Sequence, residues 1–186
     1  PLKAIITLCS TVDRYADDIH YKGGCLLNEN LGWGSTMWAY SSRPPDPALV
    51  GESWRDMWLE RLNAQHFLPA TWLHHQQRDA YWQHGSVCED FGAITAATLA
   101  VGGWGDSYKN AVPQLVENLS SPVKGIVGPW VHKYPHFAVP EPRIGFLQEA
   151  LRWWDKWLKG IETGVENDPA YSVYLMDGVR PKTWYE

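Results

Sequence analysis

The strongest constraint on the fold is the spacing of a few short apolar runs. Residues 97–102, inside "ATLAVGGWGDSY", and residues 122–128, inside "SPVKGIVGPW", each read as a strand. Residues 109–119 between them suit a helix, with a break at Pro113. "IGFLQEALRWWDKWLKG" follows as the clearest helix of the chain. Its apolar stripe is Leu147, Ala150, Leu151, Trp154 and Leu158, Asp155 and Lys159 form an i,i+4 pair, and Gly160 is its stop. An earlier apolar run, "LKAIITLCS" at 2–10, reads as a buried strand. Strands that alternate with helices imply a parallel α/β sheet.

The stretch between the first strand and residue 92 has a different texture. Residues 11–50 are polar and aromatic, broken by glycines and by the turn-rich "SSRPPDPALVG". Trp54, Met57, Trp58 and Leu62 predict an amphipathic helix at 52–64. "PATWLHHQQRDAYWQHG" predicts another, with Pro69 near its start and Gly85 past its end. Trp72, Leu73, Ala80 and Tyr81 would share its face. Residues 15–92 are therefore expected to be a helical cap inserted into the sheet domain. Near the C-terminus "YSVYLM" alternates and reads as a strand of something new.

Composition narrows the function classes. The chain has 186 residues, 45% of them hydrophobic, which suffices for a sizeable core. A net charge of −5 without a Lys/Arg cluster argues against a nucleic-acid surface. No apolar run approaches the ~18 residues of a membrane span, so no membrane partner is expected. Cys9, Cys25 and Cys88 are odd in number and widely spaced, with no disulfide framework or zinc motif. That fits a reduced, cytoplasmic compartment. The opening residue is Pro1, as in an internal piece of a longer protein. Twelve tryptophans are many for this length. Packing is the plain reading, with some of them as walls of a ligand pocket.

In a parallel α/β sheet, functional side chains sit just past the C-terminal ends of the strands. Asp106 follows the strand at 97–102, and His132 follows the strand at 122–128. A histidine that carries protons needs a carboxylate at Nδ1 to fix its tautomer and stabilise the imidazolium. An Asp before a His is two thirds of a Ser…Asp…His triad. Spacing alone leaves a second reading open, in which Asp106 caps the helix that follows and His132 is an ordinary loop histidine.

"VGGWGDSY", the His of "VGPWVH" 26 residues after Asp106, and "FLQEALRWWDKWLKG" closely resemble the acyl-hydrolase family of cocaine-esterase-like enzymes, CocE/NonD hydrolases and X-Pro dipeptidyl-peptidases. "DRYADDIHYKGGCLLNENLGW", "RDAYWQHGSVCEDF" and "YSVYLMDG" extend the resemblance over most of the chain. It implies a partial α/β-hydrolase sheet with an inserted helical cap and the start of a C-terminal jelly-roll, a β-sandwich domain. Residues 1–14 would supply a core strand, 15–92 the cap, 93–165 the core with Asp106 as triad acid and His132 as triad base, and 166–186 a linker and the first sandwich strand. The nucleophile should sit in G-x-S-x-G. Ser35, Ser86 and Ser107 lack that frame. The resemblance places the serine and the oxyanion-hole donors upstream of Pro1, so that this chain alone is expected to be inactive. The implied substrate is a small ester or amide, or a short peptide, and no cofactor or metal is needed.

Tyr108 and Trp104 are the substrate-contact candidates, each weighed against a packing role, as is Trp130. Relatives that prefer α-amino esters carry carboxylates two and three positions after the triad Asp. Here those positions hold Tyr108 and Lys109, which counts against amino-ester specificity. Glu89 and Asp90 read as a solvated pair. His132 and His136 have metal-like i,i+4 spacing, but Pro135 between them argues against a helix. His74 and His75 read as surface residues, and Asp17, Asp18 and His20 as a polar network. Lost central strands would expose sheet edges, so homo-oligomerisation is expected. Two rival readings remain: an X-Pro dipeptidyl-peptidase, and a non-catalytic tryptophan-rich binding or assembly module.

Overall fold

The computed structural model describes residues 2–176. Along the chain run β1 (Ala4–Leu8), the short strands β2 (Tyr21–Lys22) and β3 (Cys25–Leu26), and helices α1 (Glu29–Ser41), α2 (Pro47–Val50), α3 (Trp54–Asn63), α4 (Leu68–His74) and α5 (Ala80–His84). Then come β4 (Ala97–Gly103), α6 (Ala111–Asn118), β5 (Val123–Gly128), α7 (Phe146–Lys159) and β6 (Tyr171–Val173). The chain divides into two compact units: residues 13–86, and residues 1–12 together with 87–186. No helix among the described residues is long and apolar enough to cross a membrane.

The second unit holds a parallel sheet in the order β1-β4-β5-β6. Its centre, β4, is buried along its whole length, as a strand covered on both faces must be. Side chains alternate across it. Ala97, Leu99 and Val101 join Phe146 and Trp153 of α7 in one core. Ala100 joins Ala111, Val112 and Leu115 of α6 in the other. A fully buried Leu or Val side chain is worth roughly 1.5–3 kcal/mol, so the two helices clamp the sheet from opposite sides. Helix α6 begins at Ala111, which puts Pro113 in its first turn. Proline has no N–H to donate, and an N–H at that position has no intrahelical acceptor in any case, so the expected break does not occur.

Helix α7 spans the predicted residues, and its tryptophans Trp153, Trp154 and Trp157 pack on the sheet core as expected, but the leucines of the predicted stripe do not. Trp153 is 1% exposed and donates its indole N–H to the Ile5 carbonyl at 3.1 Å. Phe146 is buried and Trp157 packs on the same core. Leu147, Leu151 and Leu158 of the predicted stripe lie exposed. The i, i+7, i+11 row of aromatic side chains removes more apolar area per residue than the leucine row. The charged residues lie between the two rows: Arg152 bonds Glu149 and Asp168, and Lys156 bonds Glu162 and Glu166.

"YSVYLM" was expected to open a separate sandwich. Instead Tyr171–Val173 is β6, an edge strand paired in parallel with β5 through Gly125↔Tyr171 and Val127↔Val173. The hydrogen bonds Gly125 N–H to the Ala170 carbonyl and Tyr174 N–H to the Val127 carbonyl, both 2.8 Å, close the ladder. Alternation marks a half-buried strand but does not say which sheet it joins. The rest of that expected domain, 177–186, lies outside the described residues.

The unit of residues 13–86 is helical with one two-stranded ribbon, β2 and β3. Residues 87–92, assigned to the cap from sequence, group with the sheet unit. The core of the helical unit is small: Tyr21, Trp72 and Trp82, with Tyr15 and Leu68 against them. Buried His20 lies 4.4 Å and 4.9 Å, between ring centroids, from Trp72 and Trp82, and its Nδ1 meets Asn30 Oδ1 at 2.8 Å. Burial holds the His20 imidazole below its ordinary range against the pull of Asn30 and Asp18. Arg14 pairs with buried Asp18 at 2.9 Å. The helix predicted from Pro69 to His84 is two helices. Asp79 accepts the Tyr81 N–H and starts α5 afresh, as an N-cap does, and the inward residues are Trp72 and Trp82 rather than Leu73 and Tyr81.

Candidate active site

Register brings the functional loops together. Leu8, Val101 and Ile126 stand side by side across β1, β4 and β5. The chain therefore leaves all three strands at one end of the sheet, where Cys9, the turn 104–108 and the loop from Pro129 follow. Trp104 N–H donates to the Gly128 carbonyl and Gly105 N–H to the Trp130 carbonyl, both at 2.9 Å. Gly103 makes that approach feasible, because a Cβ there would stand 2.1 Å from the Trp130 carbonyl oxygen.

These bonds hold Asp106 against His132. The His132 Nδ1 lies 3.1 Å from Asp106 Oδ2 and 3.2 Å from Oδ1. The carboxylate is 1% exposed and the imidazole 63% exposed. A hidden acid thus faces a ring that solvent or substrate can reach. The Tyr108 N–H also donates to Asp106 Oδ1, at 3.1 Å. Helix α6 starts further on, with Asn110 at its N-cap, so the carboxylate is engaged in the turn rather than capping the helix.

A third group closes the cluster. Cys9, just past β1, has a φ of +52°, rare for a residue with a side chain and costing on the order of 1–3 kcal/mol. Its thiol bonds Asp106, and the Lys133 N–H donates to its sulfur. Burial, with the bond to Asp106 and the nearby negative charge, pushes the thiol up to about 12. Burial works to raise the Asp106 carboxyl, but bonds from Cys9, the Tyr108 N–H and His132 outweigh it and hold the group below its ordinary value. The acid is therefore an anion at neutral pH. With Nδ1 committed to that anion, Nε2 is the nitrogen left to take up or release a proton.

Beside the pair lies a cavity of about 720 Å³, lined by Leu8, Cys9, His132, Tyr134, Phe146 and Trp154 among others. Neither Tyr108 nor Trp104 is among its lining residues. The Tyr108 ring centroid is 5.7 Å from that of His132. Trp104 donates its indole N–H to the Tyr174 carbonyl at 2.7 Å and packs on the α6 side of the core. Trp130 is buried and bonds the Pro142 carbonyl. His136 stacks parallel to Phe146, centroids 6.1 Å apart. Sequence reasoning paired Asp106 with His132 but missed Cys9, weighing it only as one of three cysteines. The signal was its place at the end of the run "LKAIITLCS", at the sheet end where the other two tips lie.

The chain is similar to a solved CocE/NonD family hydrolase from Staphylococcus aureus, with 16% identity and a TM-score of 0.69 over 95% of this chain. That likeness gives the fold, a parallel α/β-hydrolase-like sheet with helices. The chain spans 28% of the length of that hydrolase. No curated protein matches. The family description X-Pro dipeptidyl-peptidase (S15 family) matches residues 1–134, which include Cys9, Asp106 and His132. With almost three quarters of its length inside that match, the chain belongs to the X-Pro dipeptidyl-peptidase (S15) family of hydrolases.

Proposed function

We propose that this chain carries the acid and the base of a serine acyl hydrolase, working with a serine that lies outside these residues. The observation that carries the reading is the Asp106–His132 contact at 3.1 Å, between a buried anion and an exposed imidazole beside an open cavity. His132 takes the serine proton as the hydroxyl attacks an ester or amide carbonyl, then returns it to the leaving group. Asp106 keeps the ring oriented and stabilises the imidazolium. No serine of the chain stands in G-x-S-x-G, and the similarity to a much longer hydrolase supports a nucleophile supplied by other residues.

The test is hydrolysis of a p-nitrophenyl ester. In the intact protein His132→Ala should lower kcat on the order of 10⁴–10⁶-fold, since triad members act as a unit. The 186-residue chain alone should not exceed the background rate. Rapid turnover by the chain alone, abolished by His132→Ala, would show that the nucleophile is internal and refute the assignment.

The family match favours a second reading, cleavage after an X-Pro dipeptide. It shares the proton-transfer machinery and requires an anionic group for the free amine of the substrate. Comparing a Gly-Pro anilide with simple acyl esters on the intact protein separates the two.

A further inference from the structure

We infer that Cys9, Asp106 and His132 form a three-ligand site for a borderline-soft divalent cation such as Zn²⁺, whose binding withdraws His132 from proton transfer. The ligand atoms of these three residues all lie within 4.8 Å of one another. They make up one thiol, one carboxylate and one imidazole, the donor set of zinc and its heavier relatives. Mg²⁺ and Ca²⁺ require several oxygen ligands, and this cluster offers one carboxylate. In a tetrahedral zinc shell neighbouring ligand atoms stand ~3.5 Å apart, as follows from bond lengths of about 2.0–2.3 Å. The Asp106–His132 separation of 3.1 Å is already close to that value.

The cluster is also held in place, which a surface grouping is not. Cys9 is fixed by its left-handed backbone, by its N–H bond to the Val101 carbonyl at 3.1 Å, and by the Lys133 N–H on its sulfur. Asp106 keeps the Tyr108 N–H as an outer partner that orients the carboxylate. Cys9 and His132 both line the 720 Å³ cavity, which leaves the fourth position to water and gives the ion a way in. On binding, the S–H bond of Cys9 breaks, a sulfur–metal bond forms, and the proton passes to solvent. Imidazole coordinates through Nδ1, the nitrogen beside Asp106, so its remaining proton resides on Nε2. That ring cannot accept a proton from a nucleophile, and no oxidation or reduction is involved. The inhibitory consequence rests on the proposed hydrolase reading; the binding itself does not.

Cadmium is the direct probe, because a thiolate–cadmium bond gives an ultraviolet charge-transfer band. The protein should bind one Cd²⁺ with that band, and Zn²⁺ should displace it. A Cys25→Ser/Cys88→Ser double variant, in which Cys9 is the sole cysteine, should keep the band. Cys9→Ser should lose it. His132→Ala, which removes one of the three ligands, should weaken binding at least ~100-fold, since loss even of an outer partner behind a ligand costs about 10–100-fold. Absence of the band in the double variant overturns the site, whether or not Cys9→Ser folds. An affinity unchanged by His132→Ala overturns the three-ligand arrangement. Ester hydrolysis by the intact protein should fall with added Zn²⁺ and return with a chelator. Hydrolysis that instead requires Zn²⁺ overturns the inhibitory role. Complete lack of hydrolysis, with the cadmium result intact, refutes the proposed function and leaves the metal site standing.

Discussion

Helix α7 presents two apolar rows, and only one faces the sheet, so a pair of substitutions measures the difference. Trp153 is 1% exposed, packs with Phe146, Leu99 and Val101, and donates to the Ile5 carbonyl. Replacing it with Ala removes a whole buried indole from that core, and truncations of this kind cost about 3–5 kcal/mol. Leu151, two residues earlier, is 56% exposed, and its truncation should stay within roughly 0.5 kcal/mol. Urea denaturation followed by far-ultraviolet circular dichroism gives both values as shifts of the midpoint at constant slope. The expected result is a large downward shift for Trp153→Ala and almost none for Leu151→Ala. Equal shifts, or the reverse order, would mean that the leucine row faces the sheet and that the packing described for α7 is wrong.

Two further predictions concern the site. Cys25 is exposed and Cys9 is half-buried with its thiol pushed up to about 12. Because the thiolate is the reactive form, iodoacetamide at mildly alkaline pH should label Cys25 at least ~10-fold faster than Cys9; equal rates would refute the buried environment of Cys9. The Asp106 carboxyl lies below its ordinary value of 3.8 in the folded chain, so its ionised form stabilises the fold. That contribution is fully present above 3.8 and is lost as pH falls through the lower folded-state value. Asp106→Asn should flatten the acid limb of the stability curve in that window, and an unchanged limb would count against the hydrogen-bonded anion.

The elements that read correctly from the sequence are those whose local pattern leaves one solution. The runs at β4 and β5 are too short and too apolar for anything but buried strands, and α7 has an unbroken helical period ending in Gly160. Its tryptophans were expected to pack, but the exposure of Leu147, Leu151 and Leu158 was not legible, because they form as good a stripe as Phe146, Trp153 and Trp157. The choice is made by the sheet, not by the helix. Helix α1 was hidden by Gly32 and Gly34, which lower helix propensity. A Cβ on Gly34 would stand 2.2 Å from Pro69, so that glycine answers to a neighbour distant in sequence. The proximity of Asp106 and His132 was legible because each follows a recognisable strand. Cys9 was not, because its place at the end of a strand-like run gains meaning only from the parallel pairing of β1 with β4.

The bonds around Trp130 bear on how such a site can change over generations. Its carbonyl accepts the Gly105 N–H and lies where any side chain on Gly103 would have to go. The turn bearing Asp106 and the loop bearing His132 are thereby fastened into one body. A mutation in either loop cannot shift one partner without dragging the other, so the spacing of the pair resists drift. Novelty is left to the cavity wall at Tyr134 and Trp154, where a side chain can be exchanged while Asp106 and His132 stay in step.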